Sequence, residues 1–303
     1  MTDISAEDRA PVSAAPAGEA PSLWREMRRA MASSPIVALA SLLLALVLLV
    51  AILAPWIVPH DPTRLTPAAR LKPPSAEFWL GTDAFGRDLF SRIVMGARIS
   101  LIVGIGAAVA AVAVGLVLGL VAGFVRAADA IIMRFVDGMM AIPNILLAIA
   151  IVALSGASLW TVLVAITLPE IPRVVRLVRS VVLAAREEPY VEAAIACGSS
   201  TWRILRRHLL PNTVAPLIVQ GTYICASAIL VEAILSFLGA GISPETPTWG
   251  NIMAEGRIYF QINPGIILWP GLVLSIAILS INLVGDAVRD ALDPRMSRRG
   301  IDR

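Results

Sequence analysis

The chain has 303 residues and a formal net charge of +3, with 57% hydrophobic and only 16% charged residues. Soluble domains carry about 25% charged and about 45–50% apolar residues. A soluble enzyme, a disordered chain and a disulfide scaffold are therefore excluded, and a membrane protein with several crossings remains, each needing about 20 apolar residues.

Residues 1–35 read as a cytoplasmic tail. It is rich in Pro, Ala and acidic residues and ends in the basic amphipathic run Trp24 to Arg29. Ile36 to Val58 contains no charge and is too long for the apolar region of a signal peptide, which spans about 7–15 residues. It is read as a retained first span, with Pro55-Trp56 at the interface. A polar, irregular external segment follows to residue 97. The second span is expected from Ile99 to about Val125, with Gly115, Gly119 and Gly123 at four-residue spacing. Such a face permits close helix approach, either as general packing or as a dimer motif.

A short polar interval from Arg126 to Asp137 precedes a third span over Gly138–Ser155, with Pro143-Asn144 in its first turns. The fourth runs from Leu159 to about Ile171, kinked or ended by Pro169 and Pro172. The fifth covers Thr213–Leu238 and the sixth Ile266–Val288, before a cytoplasmic tail at 291–303. The fold class expected is all-α integral membrane with six transmembrane helices. Arginine bias puts both termini inside, because the opposite orientation would strand the arginine-rich segment 173–211 outside.

That segment holds two short helical patterns. Glu187 to Gly198 reads as a short helix with its own stop: acidic residues and Pro189 at its start favour the helix dipole, and Gly198 sits just past its C-cap. A second helix is expected from Thr201 to Leu210, with Ser199 or Ser200 as its N-cap and Pro211 as its terminator. Val191, Ile195, Trp202, Leu205 and Leu209 are apolar with nothing in the segment to cover them, beside the basic Arg203, Arg206 and Arg207. Docking into a partner's groove is the natural use of such a surface.

At these residues a family resemblance becomes specific. Glu192-Ala193-Ala194, three residues, Gly198, then Leu210-Pro211 resembles the EAA loop of ABC importer permeases, with His208 at the position where that pattern has isoleucine. Gly81-Thr82-Asp83, then Gly86-Arg87-Asp88, resembles the external signature before the second span. Glu232 to Gly239, continuing to Trp249-Gly250 and Glu255, resembles its later counterpart. Together they resemble the C-type permease of dipeptide, oligopeptide and nickel importers.

The resemblance implies a type I permease fold. Residues 36–97 would form the first helix and external loop, and residues 98–290 the core, with a cytoplasmic coupling loop at 187–212. Within that loop Glu192, Ala193, Ala194, Gly198, Trp202, Arg206, Leu210 and Pro211 would engage an ATPase. The implied partners are a homologous B-type permease, two ABC ATPase subunits, an extracytoplasmic solute-binding protein and membrane lipid, with no nucleic acid. ATP and Mg would sit on the ATPases, with no cofactor on this chain. The location implied is the bacterial inner membrane. Transport of di- or oligopeptides is the leading expectation, with nickel, glutathione or another small solute as the alternative.

Polar residues inside spans are candidates for the translocation path. They are Glu232 and Gln220 in the fifth span and Asn282 in the sixth. Each could instead make an interhelical hydrogen bond, and Glu232 could meet a peptide amine, a metal cation or Arg257. Asp83, Asp88, Arg87 and Arg92 are expected to form an ion-pair cluster that orders the external loop, while Glu245 and Glu255 stand isolated. No phosphate loop or hydrolase motif occurs, and His60 and His208 are far apart, so neither catalysis nor metal binding is expected of this chain. A secondary transporter would need inverted repeats or a chain of intramembrane acids, and a membrane enzyme would need converging acids or histidines.

Overall fold

A computed structural model describes residues 34–292, all-helical within that range. The expected basic amphipathic run Trp24 to Arg29 and most of both tails lie outside the described residues.

Helix α1, Pro35–Ile57, starts with proline in its first turn, where a missing N–H costs nothing. Its inward stripe is small, with Ala40, Val47, Ala51 and Ala54 buried, and packs on later helices. Its other face exposes Leu39, Leu42, Leu46 and Leu49, with Trp56 near the end. That is the distribution lipid would cover.

Apolarity places the start of the second span near Ile99, but α2 runs Leu89–Phe124, 36 residues. The polar residues Ser91 and Arg92 lie inside the helix because Asp88 caps it, accepting a hydrogen bond from the Ser91 N–H at 2.9 Å. At 1.5 Å per residue α2 reaches about 54 Å, well beyond the hydrocarbon thickness.

Helices α3, Arg126–Met140, and α4, Asn144–Ser155, meet at a bend of 88°. Pro143 is therefore not inside the first turns of a span. It occupies the N-cap of α4 and breaks the run. Helix α5, Leu159–Thr167, leads through a 3-10 turn at Leu168–Glu170 into α6, Ile171–Arg186. Pro169 sits in that turn and Pro172 in the first turn of α6, so the two prolines make a joint rather than an end.

The arginine-rich segment from residue 173 thus begins as a long helix ahead of the two short ones, and α6 forms the most extensive seam of the fold, against α2. Val174, Val178 and Val182 interlock with the Gly115, Gly119 and Gly123 stripe. A Cβ on those glycines would stand 2.4, 2.6 and 2.6 Å from the facing valine Cβ atoms. The small-residue stripe is used for packing within the chain.

Beyond the short helices α7, Pro189–Ala196, and α8, Thr201–Ile204, a π-helical turn at Leu205–Leu209 continues into α9, Leu210–Phe237. Pro211 does not terminate a helix, because it falls in the first turn of α9 and the wide π turn absorbs the irregularity. Helix α10, Trp249–Gly256, is short, and α11, Gly265–Leu292, closes the bundle.

Among the described residues, four helical runs are long and apolar enough to cross a membrane: α1, α2, the continuous Thr201–Phe237 and α11. Counting the bent α3–α4 pair makes five. The six crossings expected from apolarity exceed this because the proline joint splits 159–186 into two pieces of 9 and 16 residues.

Candidate functional site: coupling corner, external clamp and polar cavity

Three groups of residues carry the expected site. The first is the corner between α7 and α8. Gly198 has φ +72° and nothing within 4 Å of where a Cβ would stand. Its N–H donates to the Ile195 carbonyl at 2.9 Å, while the Ser199 N–H donates to the Ala194 carbonyl at 3.0 Å. This pair of bonds closes the helix and turns the chain, and the left-handed backbone explains the glycine. Ser200 holds the N-cap position of α8 but makes no side-chain cap bond.

The apolar residues of this corner divide. Val191 and Leu209 are fully buried and Leu205 packs partly against the core, so these three are covered by the chain itself. Helix α6, packed on α7 and on the π turn, and α2, packed on the π turn, supply the cover that the segment alone lacks. Ile195 at 49% and Trp202 at 71% exposure remain uncovered. Glu192 and Ala193 are exposed, Ala194 and Leu210 half-buried, and Pro211 exposed. Arg203, Arg206 and Arg207 join Trp202 around a shallow cavity of about 430 Å3. Behind them the Asn212 side-chain amide donates to the Tyr190 hydroxyl at 2.8 Å and to the His208 carbonyl at 2.7 Å. The Tyr190 and His208 rings lie 5.9 Å apart, so His208 braces the corner.

The second group is a buried charge cluster at the start of α2. The Arg87 Nε donates to Asp83 at 2.6 Å, and its Nη2 donates to Glu255. Arg92, fully buried, reaches Asp83 at 3.5 Å and Glu255 at 3.2 Å. Asp83 also accepts from the backbone N–H groups of Phe85 and Arg87, and Asp88 caps α2. Glu255 is not isolated, as the sequence had it. It clamps α10 to the start of α2 and the loop before it through two arginines more than 160 residues away, a pairing that linear spacing hides. Burial pushes the Glu255 carboxyl above the usual glutamate range, with Arg92 and then Arg87 opposing that shift.

The rest of the external signature holds this clamp in shape. The Lys72 N–H donates to the Thr82 hydroxyl at 2.8 Å, and Gly81 and Gly86 are buried in tight turns. Trp249 is fully buried and its indole N–H donates to the Ile93 carbonyl at 3.1 Å. Gly250 abuts Ala233, where a Cβ would come within 2.6 Å of its Cα. Asn251, also passed over in the sequence, donates to the carbonyls of Ile242, Ser243 and Thr246 and so folds the loop before α10.

The third group is the polar set inside the bundle. Glu232 is fully buried, accepting from Ser236 at 2.8 Å and Ser100 at 3.4 Å. It does not meet Arg257, whose guanidinium donates instead to the Phe237 carbonyl at 3.3 Å and lies over the Phe237 ring. Gln220 and Asn282 line one cavity of about 640 Å3, which does not include Glu232. Two of the three path candidates therefore come together and the third stands apart. No cluster of His, Cys, Asp or Glu that could hold a metal ion occurs among the described residues.

Residues 111–298 match the family model described as the binding-protein-dependent transport system inner membrane component, more than half of the chain. The chain belongs to that family. Residues 22–74 match a second model, the N-terminal transmembrane domain of oligopeptide transport permease C. Among curated relatives of this transport family, the "probable peptide ABC transporter permease protein" of Sinorhizobium fredii is 50% identical over 88% of this chain and 91% of its own. The dipeptide transport system permease protein of Alkalihalophilus pseudofirmus is 44% identical over 90% of each chain. A methionine ABC transporter solved in an inward-facing conformation shares the fold, with TM-score 0.55 and 23% identity over 68% of this chain and 98% of that one. As a member of the family the chain is a multi-pass inner-membrane permease subunit of an ABC importer and not itself an enzyme. ATP hydrolysis belongs to separate ATPase subunits, and a solute-binding protein serves the system.

Proposed function

We propose that this permease subunit forms half of the path for short peptides and is driven through the α7–α8 corner. The observation that carries the mechanical part is Ile195 and Trp202, exposed on a capped helix corner whose Val191, Ile204 and Leu209 are buried. A rigid apolar knob with a basic flank is suited to a groove on an ATPase. Glu192, Ala193, Ala194, Gly198, Trp202, Arg206, Leu210 and Pro211 make up the contact and its support. The peptide part draws on the peptide and dipeptide relatives, which match nearly end to end.

In this reading the chain crosses six times, with α5 and α6 together making the crossing that neither makes alone, and both termini are cytoplasmic. A homologous B-type permease pairs with it, two ATPases dock below, and a binding protein docks on the external loops ordered by Asp83, Arg87, Arg92 and Glu255. ATP and Mg are held on the ATPases and no cofactor on this chain.

The test is uptake by the complete system in proteoliposomes, with labelled dipeptide, glutathione and a nickel chelate as cargo. Dipeptide accumulation that requires both ATP and the binding protein is expected. Accumulation without ATPase subunits would point to a secondary transporter and sink the proposal. ATP-driven uptake of glutathione or nickel alone would keep the importer and replace the cargo.

A further inference from the structure

The cavity that holds Gln220 and Asn282 is lined by more than neutral polar groups. Arg173 and Arg176 enter it from α6, and Asp286 and Arg289 from α11. A second cavity of about 440 Å3 shares Val219, Gln220 and Arg289 with it and extends past Ala215 and Pro216 toward the base of α9. The combined space therefore opens at the coupling-corner end of the bundle. Its main chamber, about 640 Å3, lies within the size range of ligand sites, about 300–1,000 Å3.

The lining holds three guanidinium groups and one carboxylate, Asp286. Arg176 is held by Asp137 at 2.6 Å and Arg173 by Glu170 at 3.2 Å, yet both side chains stay 45% and 42% exposed, so their outer edges remain available. Guanidinium is planar and binds carboxylates through paired N–H donors. Gln220 and Asn282 add neutral donors and acceptors to the same lining. Arg173 and Arg176 on the α6 side, with Arg289 beside the single lining acid Asp286 on α11, suit a zwitterion with a planar anionic end.

We propose that this cavity is a station for the cargo on its way through, where Arg176 and Arg289 take the free α-carboxylate of a short peptide and Asp286 takes its amine. The assignment rests on the peptide reading above. It adds residues of α6 and α11 to the path and excludes Glu232, which has no access to this space.

The experiment uses the permease pair with its ATPases in nanodiscs, without the binding protein, so that selection by that protein does not enter. Binding of a labelled dipeptide and of its C-terminal amide is measured by equilibrium dialysis. The free acid is expected to bind about tenfold or more tightly than the amide. Arg176→Gln and Arg289→Gln should bring the acid down to the level of the amide, and Arg289→Lys should restore part of the difference. Elution as an intact complex with the ATPases controls for folding. Equal binding of acid and amide, or variants that bind the acid as the wild type does, would overturn the assignment. If the complete system takes up no peptide at all, the peptide reading falls instead. Normal uptake with unaltered variants overturns only the cavity assignment.

Discussion

Glu255 answers two guanidinium groups at once, and Arg92 beside it has no solvent exposure. Removing one member of a buried ion network leaves charge without compensation, at about 3–5 kcal/mol. Glu255→Gln should therefore lower the melting temperature of the detergent-solubilised complex clearly, while Glu245→Gln in the loop before α10 should leave it nearly unchanged. Similar melting for the two would remove the clamp from the account. Gly198 makes a different kind of prediction, because no atom crowds its missing side chain. Only its backbone conformation is at stake, worth about 1–2 kcal/mol for an ordinary residue in the left-handed region. Gly198→Val should uncouple ATP hydrolysis from uptake, and Gly198→Asn should do so less, since asparagine tolerates that region. If both transported normally, the corner would not carry the drive.

At the level of elements, the seam of Gly115, Gly119 and Gly123 against Val174, Val178 and Val182 leaves no room for a side chain at three successive turns. Gly119→Val forces the helices apart, an overpacking cost of about 1–3 kcal/mol, and should reduce the amount of assembled complex on size exclusion. Pairing it with Val178→Gly should recover part of the loss, whereas no recovery would mean that the two helices do not press on each other there. Much of this was legible in the sequence. The apolar stretches located the long helices, and the Gly198 position gave the corner its place. What stayed hidden depended on neighbours. Polar Ser91 and Arg92 concealed the first turns of α2, because their partners Asp88 and Glu255 lie partly elsewhere in the chain. Pro211 read as a stop because a π turn ahead of it leaves no mark in composition. The face of α6 that meets α2 was visible as valines at four-residue spacing but was masked by the arginines between them.

Across the whole molecule, the proposed orientation can be checked with the two cysteines the chain already has. Cys197 is exposed at the coupling corner, and Cys225 is buried with its thiol inside the bundle. A membrane-impermeant maleimide should label Cys197 in inside-out vesicles and not in right-side-out ones, with Cys225 silent in both. Labelling of Cys197 from the outer face would invert the topology. The unbroken run Thr201–Phe237 has one more consequence. It is fastened near its far end, where Glu232 accepts from Ser100 of α2 and Gly250 of α10 abuts Ala233. At the near end Trp202 stands free of the bundle. On the proposed drive at Trp202, a rod of about 55 Å held by these contacts pivots at its far end, which acts as a fulcrum. Displacement delivered at Trp202 is spent chiefly on the inner half, where Gln220 and Tyr223 sit. Spin-label pairs from α9 to α11 should accordingly change distance on ATP binding at residue 219 far more than at residue 234.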